Sequence, residues 1–211
     1  IDRVEIFRAA FGAGCNDTDK LGCAWGSPIR SVNAPTNVNT WNCPDCVTDA
    51  PASGIYWYGM HVFDKAQNKT VEPTPPGPRK ALVDKQQPTS SIQSPGAGAF
   101  QGSNFAVTVA DLDTGGSGLN TTQCTYSVLK LVGGAYQSVF SDVSRTCGAV
   151  TPLIRTSDQC SSEGINACRV IVKSKDVAGN TNIISQAQNS IRDFSIDLTW
   201  PIVDKVSCSD N

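Results

Sequence analysis

The sequence predicts an all-β protein stabilised by disulfides, and three observations support this prediction. The 18 glycines and 12 prolines, with abundant Ser, Thr, Asn and Val, favour short strands joined by turns over long helices. Several segments alternate apolar and polar residues with the period of two that a strand requires. Nine cysteines in 211 residues are typical of an oxidising compartment, where thiols pair. At this length we expect two domains, each with its own core.

The charge content narrows the range of partners. Charged residues make up 17% of the chain and the net charge is −2, so no broad basic face is available for a phosphate backbone. Nucleic acid is therefore not a predicted partner. The sequence has no run of 18 apolar residues, so no membrane span is predicted in this segment.

Two short motifs occur twice and indicate an internal repeat. The Asp-x-Ala-x-Asn motif begins at Asp64 and again at Asp176, which is 112 residues later. The Asp-x-x-x-Pro motif begins at Asp84 and again at Asp197, which is 113 residues later. Two motifs with nearly the same offset predict a repeat of about one domain in length.

Each Asp-x-Ala-x-Asn motif follows an alternating segment that we interpret as a strand ending in a turn. Asn and Gly tolerate positive φ, and the Asp side chain can bond nearby backbone amides. The first strand alternates through Tyr56, Tyr58, Met60 and Val62, and the second through Cys168, Val170 and Val172. Other strands of the second domain are predicted at 90–93, 104–111, 123–131, 136–140, 150–156 and 190–198. Seven strands at this spacing indicate a β-sandwich.

These motifs resemble the bacterial and archaeal immunoglobulin-like (Ig-like) repeats of secreted cell-surface proteins. The resemblance rests on Ser117-Gly-Leu119, on Asp176-Val-Ala-Gly-Asn180, and on Asp197-Leu-Thr-Trp-Pro201. It implies tandem Ig-like β-sandwich domains: an Ig-like domain at 1–84, a complete one at 85–201, and a linker or first strand of a following module at 202–211. A sandwich hosts many functions, so the resemblance implies no ligand.

Alignment of the two copies predicts that the first domain lacks its first strands, because the segment from Ile1 to Phe7 matches the region that begins at Leu119. One interpretation is that the chain is a fragment of a longer repeat protein. The other is a subunit whose missing strands come from a neighbour, because an open sheet edge is a template for strand addition.

Eight of the cysteines are predicted to pair locally. We expect Cys15 to pair with Cys23, Cys43 with Cys46, Cys124 with Cys147, and Cys160 with Cys168. A Cys124–Cys168 bridge is the rival pairing, and Cys208 is left for a possible bridge between chains. Cys43-Pro-Asp-Cys46 also has the form of a redox motif but lacks a βαβ context, and a zinc site of Cys15, Cys23, Cys43 and Cys46 would lack the usual spacing.

Asp111 and Asp113 are the candidate metal ligands. Their alternate carboxylates precede a glycine-rich segment, as at the opening of a calcium loop, although the full loop pattern and its closing Glu are missing. A polar turn between strands explains the same residues. Three glycosylation sequons begin at Asn16, Asn68 and Asn120, among turn-forming residues.

Enzyme chemistry finds little support in the sequence, and we expect no enzyme. His61 is the single histidine and alternates with apolar neighbours, and no nucleophile motif is recognised. Four tryptophans could either pack in the core or form a sugar-stacking face: Trp25, Trp41, Trp57 and Trp200.

The predicted function is that of a structural extracellular protein, a subunit or segment of a surface filament, stalk or fibre, with strand donation between subunits as one route to assembly. Its partners would be copies of itself or neighbouring Ig-like modules. The alternatives are an adhesin or carbohydrate-binding module that binds surface glycans, and an accessory piece of a secreted hydrolase.

Overall fold

The computed structural model describes residues 1–12, 15–17, 23–36, 38, 40–42, 49–71 and 78–201. Every regular element among them is a β-strand, as the composition predicts, and three disulfides are present. The chain divides into two compact units. The first unit comprises Ile1–Gln86 and Gly115–Ser117, and the second comprises Gln87–Thr114 and Gly118–Asn211.

The first unit contains one antiparallel sheet. Its strands lie in the order β2-β1-β3-β4, and β5 also pairs with β3. The central pair, β1 and β3, runs through eight matched positions, from Arg3 opposite Phe63 to Ala10 opposite Tyr56. The strand bounds are β1 Arg3–Ala10, β2 Arg30–Asn33, β3 Gly54–Phe63, β4 Lys69–Val71 and β5 Arg79–Val83.

The second unit contains two sheets that share one core. A five-stranded sheet has the order β10-β9-β11-β12-β7, and β6 pairs with β8 in a second sheet. Ile92 and Val109 from the smaller sheet join Val128, Val170 and Phe194 from the larger one in a single buried cluster. The strands are β6 Thr89–Ser94, β7 Phe100–Gln101, β8 Thr108–Leu112, β9 Thr125–Val132, β10 Ala135–Ser144, β11 Gly164–Lys173 and β12 Ile191–Ile196.

One predicted strand of the second unit is wrong. Residues 150–156 form only isolated bridges, in which Val150 lies opposite Thr108 and Ile154 opposite Phe105. Pro152 lies between the two bridges and has no N–H to donate to a continuous ladder. The short strand β7, which pairs in parallel with β12, was not predicted because two residues carry no readable alternation.

The two units pair their equivalent strands in the same way. In the first, β3 lies between β1 and β5; in the second, β11 lies between β9 and β12. Gly54 at the start of β3 lies opposite Val83, and Gly164 at the start of β11 lies opposite Ile196. Val83 and Ile196 each precede the Asp of an Asp-x-x-x-Pro motif. The sequence repeat is therefore a repeat of strand pairing.

The repeated Asp-x-Ala-x-Asn motif forms the same turn twice. In the first unit, Asp64 Oδ1 accepts the backbone N–H of Asn68 at 2.8 Å, and Asp64 Oδ2 accepts its side-chain amide at 2.7 Å. In the second, Asp176 accepts the same two donors from Asn180, both at 2.7 Å. The residue before each Asn has positive φ, 66° at Gln67 and 101° at Gly179. The predicted turn chemistry is confirmed.

Candidate functional site

Among the described residues, disulfides join Cys15 to Cys23, Cys124 to Cys147, and Cys160 to Cys168. Cys124 and Cys168 therefore take different partners rather than each other. Because Cys15 and Cys23 are bonded to each other, they offer no thiolates to the zinc site considered above. Cys43, Cys46 and Cys208 lie outside the described residues.

Asp111 lies in an enclosed ion pair with Arg145. The guanidinium donates two hydrogen bonds to the carboxylate, Nη1 to Oδ2 at 2.6 Å and Nη2 to Oδ1 at 2.7 Å. Both side chains are 0% exposed. Ser90 and the backbone N–H of Gly148 donate to the same carboxylate, each at 2.6 Å. Sequence reasoning missed Arg145, which lies 34 positions beyond its partner and belongs to no motif.

This arrangement argues against Asp111 as a calcium ligand, because Arg145 occupies the position that a cation would take. Burial alone would raise the pKa of the Asp111 carboxyl, but the hydrogen bonds from Arg145, Ser90 and Gly148 lower it overall. The carboxylate is thus a structural anion of the second unit's interior. The Ser90 hydroxyl and the Gly148 backbone N–H supply the further hydrogen bonds that a buried charge requires.

Asp113 takes different partners from Asp111. Its carboxylate accepts the backbone N–H of Gly118 at 2.7 Å. Carboxylate oxygens of Asp113 and Asp176 lie within 4.8 Å of one another. The two predicted calcium ligands are therefore not brought together, and a cation at Asp113 would meet Asp176.

The predicted glycosylation residues belong to local turns. The Asn68 side chain is tied to Asp64, as described above, and Asn120 Oδ1 accepts the Thr122 hydroxyl at 2.9 Å. Asn16 lies in a bend and is half-buried. Glycan attachment at all three remains a prediction.

The aromatic residues of the first unit pack on both faces of its sheet. Trp57 and the half-buried Trp25 lie beside the Cys15–Cys23 disulfide, while Trp41 packs against Val4 and Ile6. Three of the tryptophans are thus packing residues rather than one sugar-stacking face, and Trp200 is exposed. His61 lies with its ring centroid 4.3 Å from that of Phe7.

The candidate interaction surface is one face of the first unit's sheet. We call it the Met60 face. Strand register sets its members side by side, with Ile6 opposite Met60 and Ala81 opposite Tyr56. The face consists of Ile6, Tyr56, Tyr58, Met60, Ala81 and Val83.

The repeat identifies the equivalent positions in the second unit, and these are buried. Met60 corresponds to Val172, because the two residues precede Asp64 and Asp176 by the same number of positions. Met60 is paired with β1, and Val172 is paired with the equivalent strand β9. Met60 is 41% exposed, whereas Val172 is 0% exposed. Ile6 is buried, as is its counterpart Tyr126. Tyr56, Tyr58, Ala81 and Val83 are only half-buried, whereas their counterparts are buried. Those counterparts are, in the same order, Cys168, Val170, Phe194 and Ile196.

The difference arises from what covers each face. In the second unit β6 and β8 supply Ile92 and Val109 to the core. In the described part of the first unit, the cover consists of irregular segments. Asp49, in the approach to β3, accepts both hydrogen bonds of Arg8, at 2.7 and 2.8 Å, and the Tyr58 hydroxyl at 2.8 Å. Burial and this bond raise the pKa of Tyr58 to about 12.

No family model and no curated protein matches the chain. Within the described ranges no helix is long and apolar enough to cross a membrane.

Proposed function

We propose that the chain is a structural segment of an extracellular filament, stalk or fibre, built from tandem Ig-like β-sandwich domains. The carrying observation is the contrast between Met60 and Val172, equivalent residues of which one is exposed and the other enclosed. In the second unit, the two-stranded layer of β6 and β8 covers the equivalent face. The Met60 face of the first unit is suited to the same cover from another copy of the chain.

The chemistry of the Met60 face favours a protein strand as its cover. It combines apolar and tyrosine side chains, which are typical of interface centres. The charged residues beside Tyr58 on this face, Arg8 and Asp49, are already paired with each other, so a covering strand would not leave an isolated charge. A layer on this face would be held by side-chain packing, while main-chain hydrogen bonds would join its own strands to each other, as β6 pairs with β8 in the second unit.

The outer edge of the second unit is a weaker acceptor. Strand β10 lies at the end of its sheet and is ten residues long. It contains no Lys or Pro, but its register with β9 shifts twice, between Ser138 and Phe140 and between Phe140 and Val143. Such irregularities twist an edge away from further pairing. The Met60 face therefore remains the better candidate for assembly.

Disulfides support the extracellular location. Bridges that close loops in both units resist unfolding where proteases are present, and they persist in oxidising compartments. Resistance to unfolding and to proteolysis is what a structural protein in such a compartment needs.

Light scattering coupled to size-exclusion chromatography tests the proposal. The wild-type chain should increase in mass with concentration, and Met60→Glu should remain monomeric, because a charge on this face would have to be buried. Ile165→Glu is the matched control, since Ile165 is a 74% exposed apolar residue of the second unit, and it should assemble like the wild type. A wild-type mass of one chain at every concentration would contradict the proposal.

A further inference from the structure

The end of strand β12 in the second unit repeats the local structure at the end of β5 in the first. Asp84 follows β5 and Asp197 follows β12, each as the first residue of an Asp-x-x-x-Pro motif. Asp84 Oδ1 accepts the backbone N–H of Gln86 at 2.9 Å, and Asp197 Oδ1 accepts the backbone N–H of Thr199 at 3.1 Å. Each aspartate therefore closes the same kind of Asx-turn.

The second residue of each motif is also held in the same way. The backbone N–H of Lys85 donates to the Ser53 hydroxyl at 2.9 Å, and the backbone N–H of Leu198 donates to the Glu163 carboxylate at 3.1 Å. Ser53 and Glu163 occupy equivalent positions, because each directly precedes the first residue of β3 or β11. The two strand ends therefore share their local hydrogen bonds as well as their motif.

The two aspartates differ in what contacts the second carboxylate oxygen. Within the first unit, Asp84 Oδ2 accepts the backbone N–H of Ser117 at 3.0 Å. Gly115 lies so close that a Cβ at its position would overlap the Asp84 carboxylate. Asp84 is only 7% exposed. The segment Gly115–Ser117, which we call the Gly-Ser loop, is thus a cap on Asp84.

Asp197 has no such cap among the residues that the structure describes. It is exposed, and within the described ranges the backbone N–H of Thr199 is the one donor to its carboxylate. The prolines of the two motifs differ in the same sense, since Pro88 is buried and Pro201 is exposed. Trp200 is 86% exposed. The end of β12 therefore offers the aspartate, without the loop that covers its counterpart.

We propose that Asp197 binds the Gly-Ser loop of a further Ig-like module that follows Pro201, in the way that Asp84 binds Gly115–Ser117. The two surfaces are complementary in charge, because a carboxylate accepts strongly from backbone N–H groups of a loop, and glycine lets the backbone approach it closely. This inference rests on the tandem organisation proposed above, but it does not depend on assembly through the Met60 face.

A fusion protein supplies the proposed partner while keeping the whole described chain. Residues 1–201 are followed directly by a second copy of 89–211, so that Pro201 takes the place of Pro88. The second copy brings its own Gly-Ser loop, its own core and its own disulfides.

Amidation of accessible carboxylates with a carbodiimide, located by peptide mass spectrometry, provides the measurement. In the single chain Asp197 should be labelled and Asp84 should not. In the fusion the junction Asp197, which lies in a peptide of unique sequence, should lose most of its labelling and resemble Asp84. Asp111 reports folding, because its carboxylate is enclosed with Arg145 and stays unlabelled only in a folded unit.

Two glycine variants of the appended copy separate capping from mere attachment. Gly115→Ala places a Cβ against the carboxylate and should restore labelling of the junction Asp197. Gly96→Ala is the matched control, since a Cβ there meets nothing within 4 Å, and it should leave Asp197 protected.

Three results would overturn the proposal. The first is equal labelling of Asp84 and Asp197 in the single chain. The second is a junction Asp197 that is labelled in the fusion as in the single chain, while Asp111 stays protected. The third is labelling of Asp111 in the fusion, because Pro201 would then not accept a following module. Met60→Glu should change none of these results, so failure of the proposed assembly is distinguishable from failure at Asp197.

Discussion

Arg145 and Asp111 form an ion pair in which neither side chain reaches solvent. The pair joins β8 to the segment that follows β10, and the guanidinium also donates from Nε to the Thr125 carbonyl at 3.1 Å. Both charges are thus hydrogen-bonded on several sides. Such a pair adds little net stability compared with apolar residues of the same size, but loss of one partner is severe.

Asp111→Asn should destabilise the second unit by about 3–5 kcal/mol, because it leaves the Arg145 charge buried without a counter-ion. Urea unfolding measured by circular dichroism gives the free energy of unfolding. Asp158→Asn is the control, since it breaks an exposed pair with Arg155 and should change little. Equal effects of the two substitutions would contradict the enclosed ion pair.

Acidification should remove the same contribution. The pKa of Asp111 is lowered in the folded chain, so its stabilising effect is present above the unfolded pKa of about 4 and is lost as pH falls through the lower folded pKa. The wild type should therefore lose more unfolding free energy than Asp111→Asn between about pH 5 and pH 2. The urea midpoints of the wild type and of Asp111→Asn, measured across this pH range, test this prediction. If the two midpoints fell in parallel as the pH is lowered, the prediction would be contradicted.

The sequence predicts local chemistry well and long-range pairing poorly. The Asp-x-Ala-x-Asn turn can be predicted from the sequence because all its hydrogen bonds lie within five residues. The Cys15–Cys23 and Cys160–Cys168 pairs can be predicted for the same reason, since the cysteines of each pair are only 8 positions apart. Asp111 is a candidate metal ligand by sequence because Asp113 and a glycine-rich segment lie beside it. Its actual partner, Arg145, is brought close only by the sheets, which no local pattern records.

The two copies of the repeated turn should differ in their contribution to stability. Asn180→Ala removes the amide that satisfies the fully buried Asp176 and should cost about 1–3 kcal/mol, the penalty for an unsatisfied buried acceptor. Asn68→Ala removes the same bond from the exposed Asp64, where water can replace it. Thermal unfolding of both variants compares them directly, and equal losses would contradict the argument from burial.

The Cys124–Cys147 disulfide should stabilise the second unit mainly by restricting its unfolded chain. Its cysteines are 23 positions apart, which corresponds to about 3 kcal/mol by loop-closure entropy. The paired substitution to alanine should lower the free energy of unfolding by that order. Peptide mapping of the unreduced protein verifies that the bridge exists, and recovery of Cys124 and Cys147 as free thiols would contradict it.

The Met60 face illustrates what comparison of two units adds to sequence reasoning. The sequence alone suggested that the first domain lacks strands, on the basis of alignment. The structure adds a physical consequence, since Met60 is exposed where Val172 is enclosed. That consequence could not be read from residue type, because Met and Val are both ordinary core residues.

Electron microscopy of the concentrated, undenatured protein tests assembly through the Met60 face most directly. We expect regular filaments with a repeat of about one chain length for the wild type and for Ile165→Glu, and none for Met60→Glu. Dispersed single particles of the wild type, or filaments that persist in Met60→Glu, would contradict it.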